Sequence, residues 1–207
     1  MTIATTDFTS LASDASVETT VAALRRRGFD VVVAETAEDA RAAALALIPQ
    51  GAEVLTAASV TVDAIGLGAE LNQSGKYKSI RAMTAKMDRA SEGQRIRQLI
   101  ATPSYGVGSV HAITEDGQVL IASGSGSQVA GYVFGAEKLI WIVGTQKIVS
   151  TLEEGIERVE RHSHPLENER MQAAFGRNSS LNKLVIYRGE PNPGRVTIIL
   201  VREALGF

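Results

Sequence analysis

The chain has 207 residues, a formal net charge of −2, 44% hydrophobic and 21% charged residues, and no cysteine. That balance offers no basic surface for nucleic acid and no run of about 18 apolar residues for a membrane span, and the missing thiols exclude disulfides, thiolate catalysis and cysteine-ligated zinc or iron–sulfur centres within the chain. Met1 to Ser16 lacks the basic-then-apolar order of a secretory leader, so a cytoplasmic location is expected, and the length predicts one domain over 1–207.

Val17, Val21 and Leu24 repeat at helical spacing and lead through Arg25-Arg26-Arg27 to Gly28, a helix and its stop. Phe29 to Ala34 then reads as a buried strand, and Thr36 with Asp39 as a capping box opening an Ala/Leu-rich helix that ends at Pro49-Gln50-Gly51. The next strand, Val54-Leu55-Thr56, enters Ala57 to Asp63, where a helix is expected to start and to run to Gly66 or Leu67. Ser59 and Thr61 there are either donors to a bound ligand or, for one of them, a helix N-cap. From Leu71 to Ser104 the chain is polar, with Lys76, Lys78, Arg81, Lys86, Arg89, Arg95 and Arg97 outnumbering the acids. Those cations face either an anion or plain solvent, and Ile96, Leu99 and Ile100 argue for a helix over the second half.

Two β-branched segments flank Glu115-Asp116-Gly117-Gln118, and an Asp-Gly pair in that setting predicts a hairpin over Val110 to Ile121. Its second strand runs into Ser123-Gly124-Ser125-Gly126-Ser127, followed by Gln128 and a short helix over Val129 to Phe134. A strand, a Gly/Ser loop and a helix start in that order present N–H groups to an anion, or else make only a tight turn. Lys138 to Val143 is an apolar strand of the kind found in parallel sheets, and Ser150 with Glu153 predicts a capped helix whose buried face carries Leu152, Ile156 and Val159. His162 and His164 could share a metal only on an extended strand, and without a matching carboxylate cluster they are expected at the surface. Asn182 to Tyr187 and Arg195 to Arg202 are the last strands, joined by the turn-rich Gly189 to Gly194. The pattern predicts an α/β fold, with a mostly parallel sheet near Val31, Val54, Val107, Leu139, Val185 and Ile198, helices on both faces and one β-hairpin.

His111-Ala112-Ile113-Thr114-Glu115-Asp116-Gly117, then Gly124, Gly126, Val129-Ala130 and Phe134-Gly135, resemble the signature of the LUD (lactate utilisation) domain family. The likeness extends to Gly144 to Val149, to Ser59-Val60-Thr61 with Ile65-Gly66-Leu67, and to Pro193-Gly194-Arg195 with Leu205-Gly206-Phe207. It implies a fold of the NagB, RpiA and CoA-transferase kind and a link to lactate oxidation beside partner proteins that carry iron–sulfur clusters. His111 stands where many members have Asn, Ser123-Gly124 where they have Asp-Gly, and Ser127-Gln128 where they have Asn-Arg. A cysteine-bearing segment of some members corresponds to Phe175 to Ser180, without a thiol.

Two functions of different class follow. One is a small-anion-binding accessory subunit of lactate oxidation whose iron–sulfur or flavin partner supplies the redox centre, with no cofactor or metal in the chain itself. The other is a stand-alone enzyme on a phosphorylated or CoA-linked metabolite, motivated by fold-level likeness and by Glu115, since some CoA-transferases use a Glu in a similar turn as nucleophile. Glu115 as nucleophile competes with a solvated turn, and His111 as general base with a histidine that merely lines a pocket. The expected ligand-binding set is Ser59, Thr61, Ser123, Gly124, Ser125, Gly126, Ser127, Gln128 and Lys147, with Lys147 or Arg81 balancing the ligand's charge. A homo-oligomer stays open.

Overall fold

The computed structural model describes residues 7–207, so the first six residues of the Met1 to Ser16 segment lie outside the described residues. Helix α1 (Asp14–Arg26) starts where Ser13 accepts the Ser16 N–H at 3.2 Å, and it leads into strand β1 (Asp30–Ala34). Thr36 and Asp39 cap helix α2 (Ala37–Ala46) reciprocally, as their spacing predicts. Strand β2 (Glu53–Thr56), helices α3 (Val60–Ala64) and α4 (Leu67–Gln73), strand β3 (Lys78–Ser79), helices α5 (Ile80–Thr84) and α6 (Gly93–Ala101) and strand β4 (Tyr105–Gly108) follow. The Asp-Gly hairpin forms from β5 (Ala112–Thr114) and β6 (Val119–Ser123), with Gly117 in the turn at φ +88°. Helix α7 (Ser127–Ala130) then widens into a π turn over Gly131–Gly135. Strands β7 (Lys138–Gly144) and β8 (Ile148–Val149), helices α8 (Leu152–Arg158) and α9 (His164–Phe175), and strands β9 (Lys183–Tyr187) and β10 (Val196–Val201) complete the chain.

Six strands form a parallel sheet in the order β1-β10-β7-β4-β2-β3. Alternation along its strands supplies two cores, because successive side chains point to opposite faces. Ile140, Ile142, Ile199 and Val201 pack with Ala40 and Ala44 of α2 and with Val62, Leu67 and Leu71 of α3 and α4. Leu139, Trp141, Val143, Ile198 and Leu200 pack on the other face, against Val17, Val21 and Leu24 of α1 and against Ile113, Val119 and Ile121 of the hairpin.

Helices thus lie on both faces as expected, α2 to α4 on one and α1 on the other, and the second face carries a further layer that the sequence did not predict. The hairpin belongs to a separate four-stranded mixed sheet, β8-β5-β6-β9, laid over the parallel one. Val185 sits there too, on β9, antiparallel to β6 and not in the parallel sheet as the sequence suggested. The opposite face of the small sheet, with Leu120 and Ala122, packs with Val149, Val159 and Phe8 and, further out, with Leu152 and Ile156 of α8. The cap of α8 falls one residue later than Ser150. Thr151 accepts the Glu154 N–H at 3.2 Å, and the Glu154 carboxylate accepts the Ser150 N–H at 2.8 Å. Both registers carry the Ser/Thr-x-x-Glu pattern, and the pairing of Val149 with Thr114 keeps the chain extended up to the later one.

Candidate functional site

The chain leaves β2 towards β3 on one side and β4 towards β7 on the other. Loops that part in this way beyond the carboxyl ends of neighbouring parallel strands leave a crevice between them. A cavity of about 700 Å³ fills it. Ser59 and Thr61 beyond β2, His111 beyond β4, Ser123, Gly124 and Ser125 at the end of β6, Ser127 and Gln128 on α7, and Lys147 beyond β7 all line that cavity. The structure thus brings together the two loops that the sequence set apart by more than sixty residues of chain.

Two of the expected site residues lie off the cavity wall. Glu115 sits at the closed end of the hairpin, where the Ser16 hydroxyl donates to its carboxylate at 2.6 Å. The turn packs on α1, opposite to the end at which β6 opens into the cavity, so Glu115 is not presented to a ligand there. Gly126 has φ +83°, and a Cβ built on it would lie 2.8 Å from Cδ of Lys183, so its open side faces that side chain.

The Gly/Ser loop is also more occupied than a phosphate cradle. Ser123 Oγ accepts the Gly126 N–H at 2.8 Å and donates to Gln128 Oε1 at 3.0 Å, while Ser125 Oγ accepts the Ser127 N–H at 3.2 Å. Helix α7 has only four residues, which leaves little dipole to aim at an anion. Ser59 caps α3 by accepting the Val62 N–H at 3.3 Å, so the capping role and the place on the cavity wall fall on one residue.

Positive charge comes from side chains instead. Arg81, Arg89, Lys147, Arg170 and Arg177 line the cavity against Asp63 and Glu167. Arg170 is taken by a bidentate pair with Glu167, both contacts at 2.7 Å. Arg81, Arg89 and Arg177 make no ion pair among the described residues. They come from α5, the segment before α6 and the segment after α9, and guanidinium groups left unpaired at a cavity suit carboxylate or phosphate.

The floor is built around three basic groups. Lys147 is 1% exposed, and its ammonium donates to Thr61 Oγ1 at 3.0 Å, Ser109 Oγ at 3.2 Å and the Val110 carbonyl at 3.3 Å. Burial, then the nearby Arg158 guanidinium, push it down to about 7. Thr61 in turn donates to the Leu205 carbonyl at 3.0 Å, which ties the last residues to the cavity wall. The His111 ring accepts the Ala122 N–H on Nδ1 at 3.1 Å. Burial, then Lys147 and Arg158, push it down to about 3, so the ring is neutral and carries its proton on Nε2. Arg158 is fully buried and donates to the His111 carbonyl at 2.5 Å and to Ser163 Oγ at 3.0 Å, and it makes no ion pair among the described residues.

His162 and His164 lie on helical backbone, in the π segment Val159–Ser163 and at the start of α9, and not on a strand. His162 stacks near Phe8, with ring centroids 5.9 Å apart. His164 is half-buried on the cavity wall, with Nε2 shielded and unpartnered, which corrects its expected surface position. No group of three or more metal-ligating side chains occurs among the described residues. Sequence reasoning missed His164, Glu167, Arg170 and Arg177. Pro165 in the first turn and Gly176 after the last residue were start and stop signals for α9, but that helix buries no residue fully and its few apolar residues form no stripe at helical spacing.

A model of the LUD domain family matches residues 17–201, and the chain belongs to that family. A crystal structure of a DUF162 family protein from Deinococcus radiodurans is similar over 93% of this chain and 99% of its own, at 15% identity and a TM-score of 0.58. That likeness supports the α/β fold. The structure of eIF2B beta from Chaetomium thermophilum matches over 56% of this chain and 43% of its own, at 15% identity and a TM-score of 0.38. A search of curated proteins returns no match. Among the described residues no helix is long and apolar enough to cross a membrane.

Proposed function

We propose that this LUD-domain protein binds a small anionic metabolite in the cavity between the β2 and β4 loops, as an accessory subunit of lactate oxidation beside an iron–sulfur or flavin partner. The observation that supports it is the charge of the cavity, with Arg81, Arg89 and Arg177 unpaired at a site whose floor is Lys147 and His111. The family supplies the link to lactate utilisation. The chain has no cysteine, so a cluster for the electron transfer would come from the partner.

The volume favours a second reading. A three-carbon hydroxy acid has six non-hydrogen atoms and fills under about 200 Å³, at about 30 Å³ per water-sized group, whereas the cavity holds about 700 Å³. A phosphorylated or CoA-linked ligand would use that room and the arginines together, and the protein would then be an enzyme in its own right.

Thermal unfolding with hydroxy acids, phosphosugars, acyl-CoAs and nucleotides separates the two, because a ligand of the folded state raises the midpoint by mass action. Stabilisation by one anionic class, lost in the Arg89→Ala/Arg177→Ala double variant, is the expected result. Stabilisation by none of them, or one that the double variant keeps, would remove the reading.

A further inference from the structure

The floor of the cavity holds a nucleophile that anion binding alone does not use. We propose that Lys147 forms a reversible imine with a 2-oxo acid held in the cavity. Lys147 lines the cavity, and its buried amine meets three neutral oxygens, those of Thr61, Ser109 and Val110, with no ion pair among the described residues to fix it as an ammonium. Burial and the Arg158 cation hold it near 7, so a large share is free amine at neutral pH. A lysine desolvated beside a second cation is the usual setting of an imine-forming nucleophile.

The class of partner follows from the reading of the cavity as an anion site, on which this inference rests. A carbonyl compound that reaches Lys147 passes unpaired arginines that favour a carboxylate, and a 2-oxo acid carries the carboxylate next to the ketone. The lysine nitrogen attacks the keto carbon, the ketone oxygen leaves as water with both hydrogens of the neutral amine, and a C=N bond replaces C=O. Nothing is oxidised or reduced. The Thr61 and Ser109 hydroxyls, within 3.0 and 3.2 Å of the nitrogen, are placed to pass the protons, and the neutral His111 ring offers its Nε2–H to the oxygen as charge develops on it.

Incubating the full chain with pyruvate and sodium cyanoborohydride, followed by peptide mass mapping, tests the step. The expected result is one adduct on Lys147, heavier by the oxo acid less one oxygen, lost in Lys147→Met and much weaker with acetone, which has no carboxylate. Adducts on surface lysines with Lys147 unmodified, or equal labelling by acetone, would overturn it. Mapping on the unaltered chain decides the matter even if the variant does not fold. Pyruvate that raises the melting temperature without marking Lys147 removes the imine and keeps the anion site. If no anion stabilises the chain, the site itself fails.

Discussion

His111 is the residue whose environment has the plainest consequence for stability. Its folded value of about 3 lies below its ordinary 6.5, so between those pH values the unfolded chain binds a proton that the folded one does not. Stability conferred by the neutral ring is complete above about pH 6.5 and drains away as the pH falls towards 3, by a few kcal/mol in all. His111→Asn removes the titrating group and should flatten this acid limb. Urea midpoints measured near neutrality and near about pH 4 check this: they should fall steeply between the two for the parent and little for the variant. The ring does not act alone, since the buried Arg158 grips the His111 carbonyl and so fixes the backbone that aims the imidazole into the cavity.

At the scale of elements, the hairpin turn is sterically committed. Gly117 has φ +88°, and a Cβ there would lie 2.9 Å from the Ala23 carbonyl carbon and 3.0 Å from the Leu24 nitrogen. Gly117→Ala is therefore expected to cost about 1–3 kcal/mol by denaturant titration, and a loss below a few tenths would mean the turn can shift off α1. This turn was legible in the sequence because its chemistry is local: Asp116-Gly117 between β-branched segments admits few conformations. The same locality made Thr36–Asp39 and the strand at Leu139 to Val143 readable, whereas the meeting of the Ser59 and Ser123 loops followed from topology, since loops at the carboxyl ends of parallel strands converge. The division into two sheets was not readable, because nothing in Lys183 to Tyr187 states whether its partner is β6 or a parallel neighbour. The arginines were visible as residues but not as a site, since whether a guanidinium is solvated or faces a cavity depends on helices that are far apart in sequence.

Across the whole molecule the two sheets meet at one aromatic cluster. Trp141, the single tryptophan, is fully buried on β7 and contacts Tyr132, Tyr187 and Phe29 at centroid distances of 5.5, 5.3 and 6.4 Å. Tyr187 belongs to the small sheet and Trp141 to the large one, so tryptophan emission reports the junction directly. If the layers unfold together, emission and far-ultraviolet dichroism should trace one urea transition. Trp141→Ala should lower the unfolding free energy read from the dichroism transition by about 3–5 kcal/mol. Two separate transitions would instead show that the small sheet melts by itself.

The cavity wall draws on Ser59, His111, Lys147 and Phe207, positions spread over most of the chain. Such a wall exists only after the long-range strand pairings have closed, so the ligand has nothing to grip in a partly folded chain. Occupancy then leaves the speed of refolding untouched and acts on the lifetime of the native state, slowing its escape.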